Sequence, residues 1–141
     1  MTLILNESLR LYPPVVLLIR KVAREVRLGK LVLPAGLELA ISPLIVHHDS
    51  QLWGEDAHIF KPERFSEGVG GATNNTMCFF PFGAGPRFCV GQSLAMMEAK
   101  IALSMILQQY TFTLSPAYVH APFRQLMTQP QYGLQVMLHK I

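Results

Sequence analysis

The sequence predicts a mainly α chain with small β-sheets, an α+β class, on three observations. A helical apolar stripe opens the chain, period-two alternation follows the Pro13-Pro14 pair, and a long, nearly uniformly apolar stretch runs from Gly91 to about Tyr110. At 141 residues the chain has the size of one domain, enough in principle to bury a core.

Met1 to Tyr12 reads as a helix because Leu3, Ile4 and Leu11, with Met1, share one side, and Pro13-Pro14 cannot continue it. From Val15 to Ser42 the pattern turns to strands. Val26, Leu28, Leu31, Leu33, Leu37, Leu39 and Ile41 recur at a spacing of two, broken at Gly29-Lys30 and Pro34-Ala35-Gly36, which predicts a small antiparallel meander. Leu44 to His48 predicts a short helix. Trp53 to Thr76, rich in Gly, Pro, Asn and charge, is expected to be mostly loop, and so long a loop is usually functional or anchored. Gly91 opens the strongest helix, with Leu94, Met97, Ile101 and Met105 along one side and further apolar residues around it, a pattern that predicts burial. The tail alternates over Thr111 to Leu114 and Leu134 to Leu138, separated by Pro116, Pro122 and Pro130, and is expected to end as a β-hairpin region.

Net charge is +3, and half of the twelve basic residues fall within the first thirty, five of them between Arg20 and Lys30. No aromatic residues interleave with these five, so they predict a solvated strand edge and no nucleic-acid partner. Cys78 and Cys89 could pair, yet two thiols without a signal peptide do not make a secreted disulfide scaffold, and a reducing compartment is expected. The longest apolar run, Leu94 to Leu107, carries Glu98 and Lys100, whereas a membrane span needs about 20 mostly uncharged residues. Mean hydropathy is +0.30 with 15% charged residues, which implies apolar faces that something else covers.

The segment from Phe82 to Gly91 carries the chemistry. Its glycines permit tight turns and a close approach of backbone to a flat ligand. Cys89 lies two residues before the long helix, where free N–H groups and the positive end of the dipole favour a thiolate able to ligate a metal. Arg87 offers a planar fork of donors suited to a carboxylate. Elsewhere, Glu7 and Arg10 stand three residues apart on one helical face, a pairing that alone is usually a surface bridge worth under about 1 kcal/mol. His47-His48-Asp49 with His58 lacks zinc-type ligand spacing and reads as a polar helix end or loop, and Cys78, before Phe79-Phe80, reads as core.

Phe82, Gly85, Arg87, Cys89 and Gly91 fill every fixed position of the heme-binding signature of the cytochrome P450 family, which this chain resembles. Such a coincidence arises on the order of once per ten million windows. The resemblance implies that residues 1–141 are the C-terminal, incomplete part of a single domain of that fold: the Glu-x-x-Arg helix, the β meander, the heme-binding loop, the long helix and the terminal hairpin. It implies heme as cofactor, Cys89 as axial ligand of its iron, and Arg87 with Arg20 as propionate partners. Pro62-Glu63-Arg64-Phe65 matches the segment that supplies the third member of a buried charge network, so Glu7, Arg10 and Arg64 are expected to hold the loop under the heme. His47 with Trp53-Gly54 also matches the family, without a metal role. Val15, Val16 and Leu17, and near the C-terminus Leu126 and Met127, resemble substrate-facing segments.

The ending from Leu114 to Gly133 narrows the resemblance to plant microsomal members that oxidise isoprenoids, hormones and related lipids. It implies a heme-thiolate monooxygenase with an apolar small-molecule substrate, NADPH acting only through a flavoprotein reductase that Arg87 and Lys100 would suit, and an endoplasmic reticulum location for the full-length protein. The membrane anchor and the Ala/Gly-Gly-x-Asp/Glu-Thr segment of the distal helix do not occur in these residues, so a cytosolic location stays open for this chain. Two alternatives remain at this point: a truncated, catalytically inactive fragment, and a heme-binding module without oxygenase activity.

Overall fold

The computed structural model describes residues 1–73, 75–125 and 127–141. Helix α1, Thr2–Leu11, ends where Tyr12 caps it through a bond from its N–H to the Ser8 carbonyl, and Pro13 and Pro14 follow. It turns Glu7, Arg10 and Leu11 inward and leaves Met1 and Ile4 nearly half exposed.

The strands after α1 correct the expected meander. β1 (Leu18–Lys21) pairs with β4 (Glu38–Ile41), and β2 (Val26–Leu28) pairs with β3 (Leu31–Leu33), so one hairpin is nested inside another. Alternation reports that a residue is in a strand and says nothing about which strand is its neighbour. The Gly29-Lys30 turn closes the inner pair, while Val22 and Leu37 continue the outer ladder. The tail repeats the plan: β5 (Tyr110–Leu114) pairs with β8 (Val136–Lys140) around an inner β6 (Pro122–Arg124) and β7 (Thr128–Pro130), with Leu134 ahead of the last strand rather than in it.

Two short helices, α2 (Pro43–His47) and α3 (Ser50–Trp53), are capped by Ser42 and Asp49, whose side-chain oxygens accept from Ile45 N–H and Gln51 N–H. The stretch expected to be mostly loop holds the core. Trp53, Ala57 and Phe65 are buried together, with Leu3, Leu52, Val69, Ala72 and Phe79 packed around them. Within it lie a 3-10 turn at Pro62–Phe65 and helix α4, Gly68–Ala72, a glycine-rich sequence of poor helical propensity that Val69 and Ala72 hold against the aromatic cluster.

Helix α5, Gln92–Leu107, is one of the apolar faces that the sequence implies something else covers. Its composition predicts burial, yet none of its residues is buried, and Leu94, Met97, Ile101 and Met105 are each more than half exposed. Beyond its contact with β5, little among the described residues packs on it.

Candidate functional site

The site is built on the charge cluster beneath α1. Arg10 Nε and Nη2 donate to the two carboxylate oxygens of Glu7, both at 2.8 Å, and both side chains are fully buried. Arg10 then reaches across the chain, donating through Nη1 to the carbonyls of His47 at 2.7 Å and Ala57 at 2.6 Å. The Lys61 N–H donates to Glu7 Oε1, and the Arg10 guanidinium lies 5.2 Å from the centre of the Trp53 ring. A bidentate pair with its spare donors used on carbonyls is the arrangement in which a buried charge pair is tolerated.

Arg64 joins at longer range. Its Nε stands 3.8 Å from Glu7 Oε1, an ion pair and not a hydrogen bond, while its terminal nitrogens donate to the Trp53 carbonyl and to the Asp56 backbone and carboxylate. Lys61 and Arg64 together hold the Asp56 carboxyl down at about 2. Asp56 is a member the sequence reading missed; one of several acidic residues in a supposed loop, it gave no signal.

His47 is the second residue it missed. It is the last residue of α2, at the expected helix end, but its side chain is fully buried among Trp53, Phe79 and Phe80. Its Nε2 accepts the Phe80 N–H at 3.1 Å, and burial pushes its pKa down to about 4, so the ring is neutral. Its only sequence signal is its place ahead of Trp53-Gly54. The neighbouring His48 and His58 rings meet edge to face at 5.3 Å, and among the described residues no cluster of three or more His, Cys, Asp or Glu could hold a metal ion.

Phe80 leads into the loop that carries Cys89. Gly83 N–H bonds back to the Phe80 carbonyl, and Cys89 N–H to the Phe82 carbonyl at 2.8 Å. Gly83 and Gly85 take φ of +78° and +73°, which side chains resist. A Cβ on Gly85 would touch nothing within 4 Å, so open space lies in front of that turn. Cys89 is a free, exposed thiol, and a Cβ on Gly91, the N-cap residue of α5, would lie 3.8 Å from its sulfur. No side chain caps that helix end; its first N–H, from Gln92, donates to the Cys89 carbonyl at 3.3 Å. Phe88 and Val90 on either side are exposed and apolar.

Arg20, on β1, and Ala84, in the loop, line one hollow of about 190 Å³ with Leu18, Ile41, Met77 and Phe80. Among the described residues, the only side-chain bond of Arg20 goes to the adjacent Ile19 carbonyl. An exposed sulfur at a helix N-terminus, apolar flanks, open space over a glycine turn and two arginines at the loop, Arg87 within it and Arg20 beside it, fit a flat apolar group bearing carboxylates.

Val16 and Leu17 line another hollow, of about 480 Å³, with Ile45, Phe123 and Thr128, while Val15 and Met127 are exposed and line none of it. Leu126 lies outside the described residues. The two walls are joined by Thr128, whose Oγ1 donates to the Pro13 carbonyl at 2.7 Å and whose N–H donates to the Pro14 carbonyl at 2.9 Å. No helix among the described residues is long and apolar enough to cross a membrane.

Residues 1–137 match the family described as Cytochrome P450. The chain is 59% identical over 140 residues to Cytochrome P450 CYP749A22 of Panax ginseng, covering 99% of this chain and 27% of that protein. It is 51% identical to 11-oxo-beta-amyrin 30-oxidase of Glycyrrhiza uralensis and 51% identical to 7-deoxyloganic acid hydroxylase of Catharanthus roseus, with the same coverage in each case. Among solved structures, a retinoic acid-bound cyanobacterial CYP120A1 superposes with a TM-score of 0.89 at 31% identity, over 99% of this chain and 32% of that one. The chain thus spans a little over a quarter of the length of the curated relatives it matches. By this match over nearly its whole length, and with its fold in agreement, the chain belongs to the cytochrome P450 family.

Proposed function

We propose that residues 1–141 form the C-terminal, heme-binding portion of a single cytochrome P450 domain whose activity is that of a heme-thiolate monooxygenase. The observation that carries this reading is Cys89: a free thiol, exposed at the uncapped start of α5, in a loop held from below by a hydrogen-bonded scaffold. Cys89 would hold the iron through its sulfur, and Arg87 and Arg20 would hold the propionates. Bound heme supplies the redox chemistry by which one oxygen atom of dioxygen enters a substrate. The chain's own residues do the positioning: the Phe82 carbonyl fixes the Cys89 backbone, Gly83 and Gly85 let the loop turn tightly, and the Glu7–Arg10 pair anchors the segments beneath.

The substrate class supported is an apolar small molecule of isoprenoid, hormone or lipid type. The names of the relatives from Glycyrrhiza uralensis and Catharanthus roseus support it, as does the apolar hollow lined by Val16 and Leu17. Electrons would come from NADPH through a flavoprotein reductase, and the full-length protein would reside at the endoplasmic reticulum membrane; both rest on the family.

A second reading, that these residues alone are catalytically inactive, is favoured by surface area. The chain exposes 10185 Å², whereas a folded monomer of 15.8 kDa exposes about 7,300 Å². The exposed surface includes many large apolar side chains, among them Leu94, Met97, Ile101 and Met105 of α5, which points to faces completed by further polypeptide.

The test is the reduced, carbon monoxide difference spectrum after reconstitution with heme, with Cys89→Ser alongside. A long-wavelength Soret band lost in the variant would assign the thiolate ligand to Cys89. Absence of heme uptake would confine the activity to a longer protein.

A further inference from the structure

We propose that His47 is a positioning residue that couples the buried Glu7–Arg10 pair to the loop carrying Cys89. This rests on the heme-thiolate reading only in that it gives the placement of Cys89 its purpose; the coupling itself is a matter of hydrogen bonds.

One residue serves both sides. The His47 carbonyl accepts from Arg10 Nη1 at 2.7 Å, and its ring Nε2 accepts the Phe80 N–H at 3.1 Å. From Phe80 the path continues: its carbonyl accepts Gly83 N–H at 2.9 Å, and the Phe82 carbonyl accepts Cys89 N–H at 2.8 Å. The ring has no freedom to do otherwise. Its Nε2 accepts, so in the neutral ring the proton sits on Nδ1, and Nδ1 is buried without a hydrogen-bond partner among the described residues. Leaving a donor unpaired is unfavourable, and the ring is held in that orientation by the bond to Phe80 and by the aromatic walls of Trp53, Phe79 and Phe80. Burial keeps the ring neutral over the physiological range, so the acceptor is always available.

A phenylalanine at this position keeps the volume and the aromatic packing but strands the Phe80 N–H. Glutamine can bring an amide oxygen close to the place of Nε2, and asparagine is too short to do so. The experiment is amide hydrogen exchange on the full 141-residue chain for wild type, His47→Phe, His47→Asn and His47→Gln. Phe80, Gly83 and Cys89 are read against Val22 and Gly36, whose amides bond at the end of the β1–β4 ladder, beyond the Lys21–Glu38 pair, and take no part in that path. Loss of a single buried bond should speed exchange about tenfold or more at the three loop amides in the Phe and Asn variants. Val22 and Gly36 should be unchanged, and His47→Gln should behave as wild type. Unchanged loop exchange in His47→Phe overturns the coupling. Should His47→Phe expose every amide, the Gln and Asn pair decides: equal loosening in both overturns it, and protection in Gln alone upholds it.

Hemin titration separates this inference from the reading beneath it. Uptake equal in wild type and Cys89→Ser counts against the thiolate site and leaves the exchange result standing. Uptake that needs Cys89 but is as tight in His47→Phe as in wild type, with unchanged loop exchange, sinks the coupling alone.

Discussion

Removing one partner from the Glu7–Arg10 pair leaves a charge where water does not reach. Arg10→Met strands the Glu7 carboxylate and three carbonyl acceptors, and is expected to lower the unfolding free energy by about 3–5 kcal/mol, read as a fall in the urea midpoint. Arg10→Lys should recover little of it, because a point charge cannot reproduce the bidentate fork. His47 and Asp56 set the response to acid. The His47 pKa is lowered from 6.5 to about 4 by burial, so the unfolded chain binds more protons between those values. Stability is therefore complete above about pH 6.5, falls as the pH drops to about 4, by on the order of 3 kcal/mol, and is flat with respect to this group below that. Asp56 is lowered from 3.8 to about 2 by its bonds from Lys61 and Arg64, so its contribution is present above its unfolded value and is lost as the pH falls towards 2. An acid titration followed by circular dichroism should show both ranges, and His47→Gln should shrink the upper one while leaving the part that belongs to His48, whose pKa burial also lowers, and the whole of the lower one.

At the scale of elements, the terminal hairpin is docked through Thr128. Thr128→Val keeps the shape and the N–H bond to Pro14 but deletes the hydroxyl bond to Pro13, and is expected to cost about 1 kcal/mol. Faster amide exchange in β6 and β7, with β5 and β8 unchanged, would be the sign of it. Helix α5 is apolar and uncovered, so the chain should self-associate as concentration rises. Ile101→Lys with Met105→Lys should suppress this in sedimentation velocity without loss of helical signal, since neither side chain is buried. The same helix shows what periodicity conveys. Its composition speaks of a helix made to be covered, and only the structure shows that these residues do not cover it. The strands divide in the same way: alternation marks β1 to β4, while nesting depends on the outer ladder through Val22 and Leu37.

For the molecule as a whole, the core is small and sits in the middle segment, around Trp53, Ala57 and Phe65, while both nested hairpins and α5 stand largely in the open. Phe65→Ala should therefore be among the most damaging apolar truncations, by about 3–5 kcal/mol in a urea titration, whereas Leu28→Ala on the exposed β2 should change stability by less than about 0.5 kcal/mol. The sequence by itself determined the class of fold, the ends of α1, the start of α5, and the Phe82-to-Gly91 signature with Cys89 in it, because all of these are written in short-range chemistry: proline stops, periodicity, and residues fixed at close spacing. The end of α5, expected near Tyr110, falls at Leu107, with Tyr110 already in β5. Only the tertiary structure decided that a glycine-rich stretch with no periodic pattern forms the core. The resemblance already joined Arg10 to Arg64 across more than fifty residues of chain, and the structure alone added His47 and Asp56 to them. Convergence of that kind comes from burial and from the need of buried charges and carbonyls for partners, and neither leaves a local mark in the order of the residues.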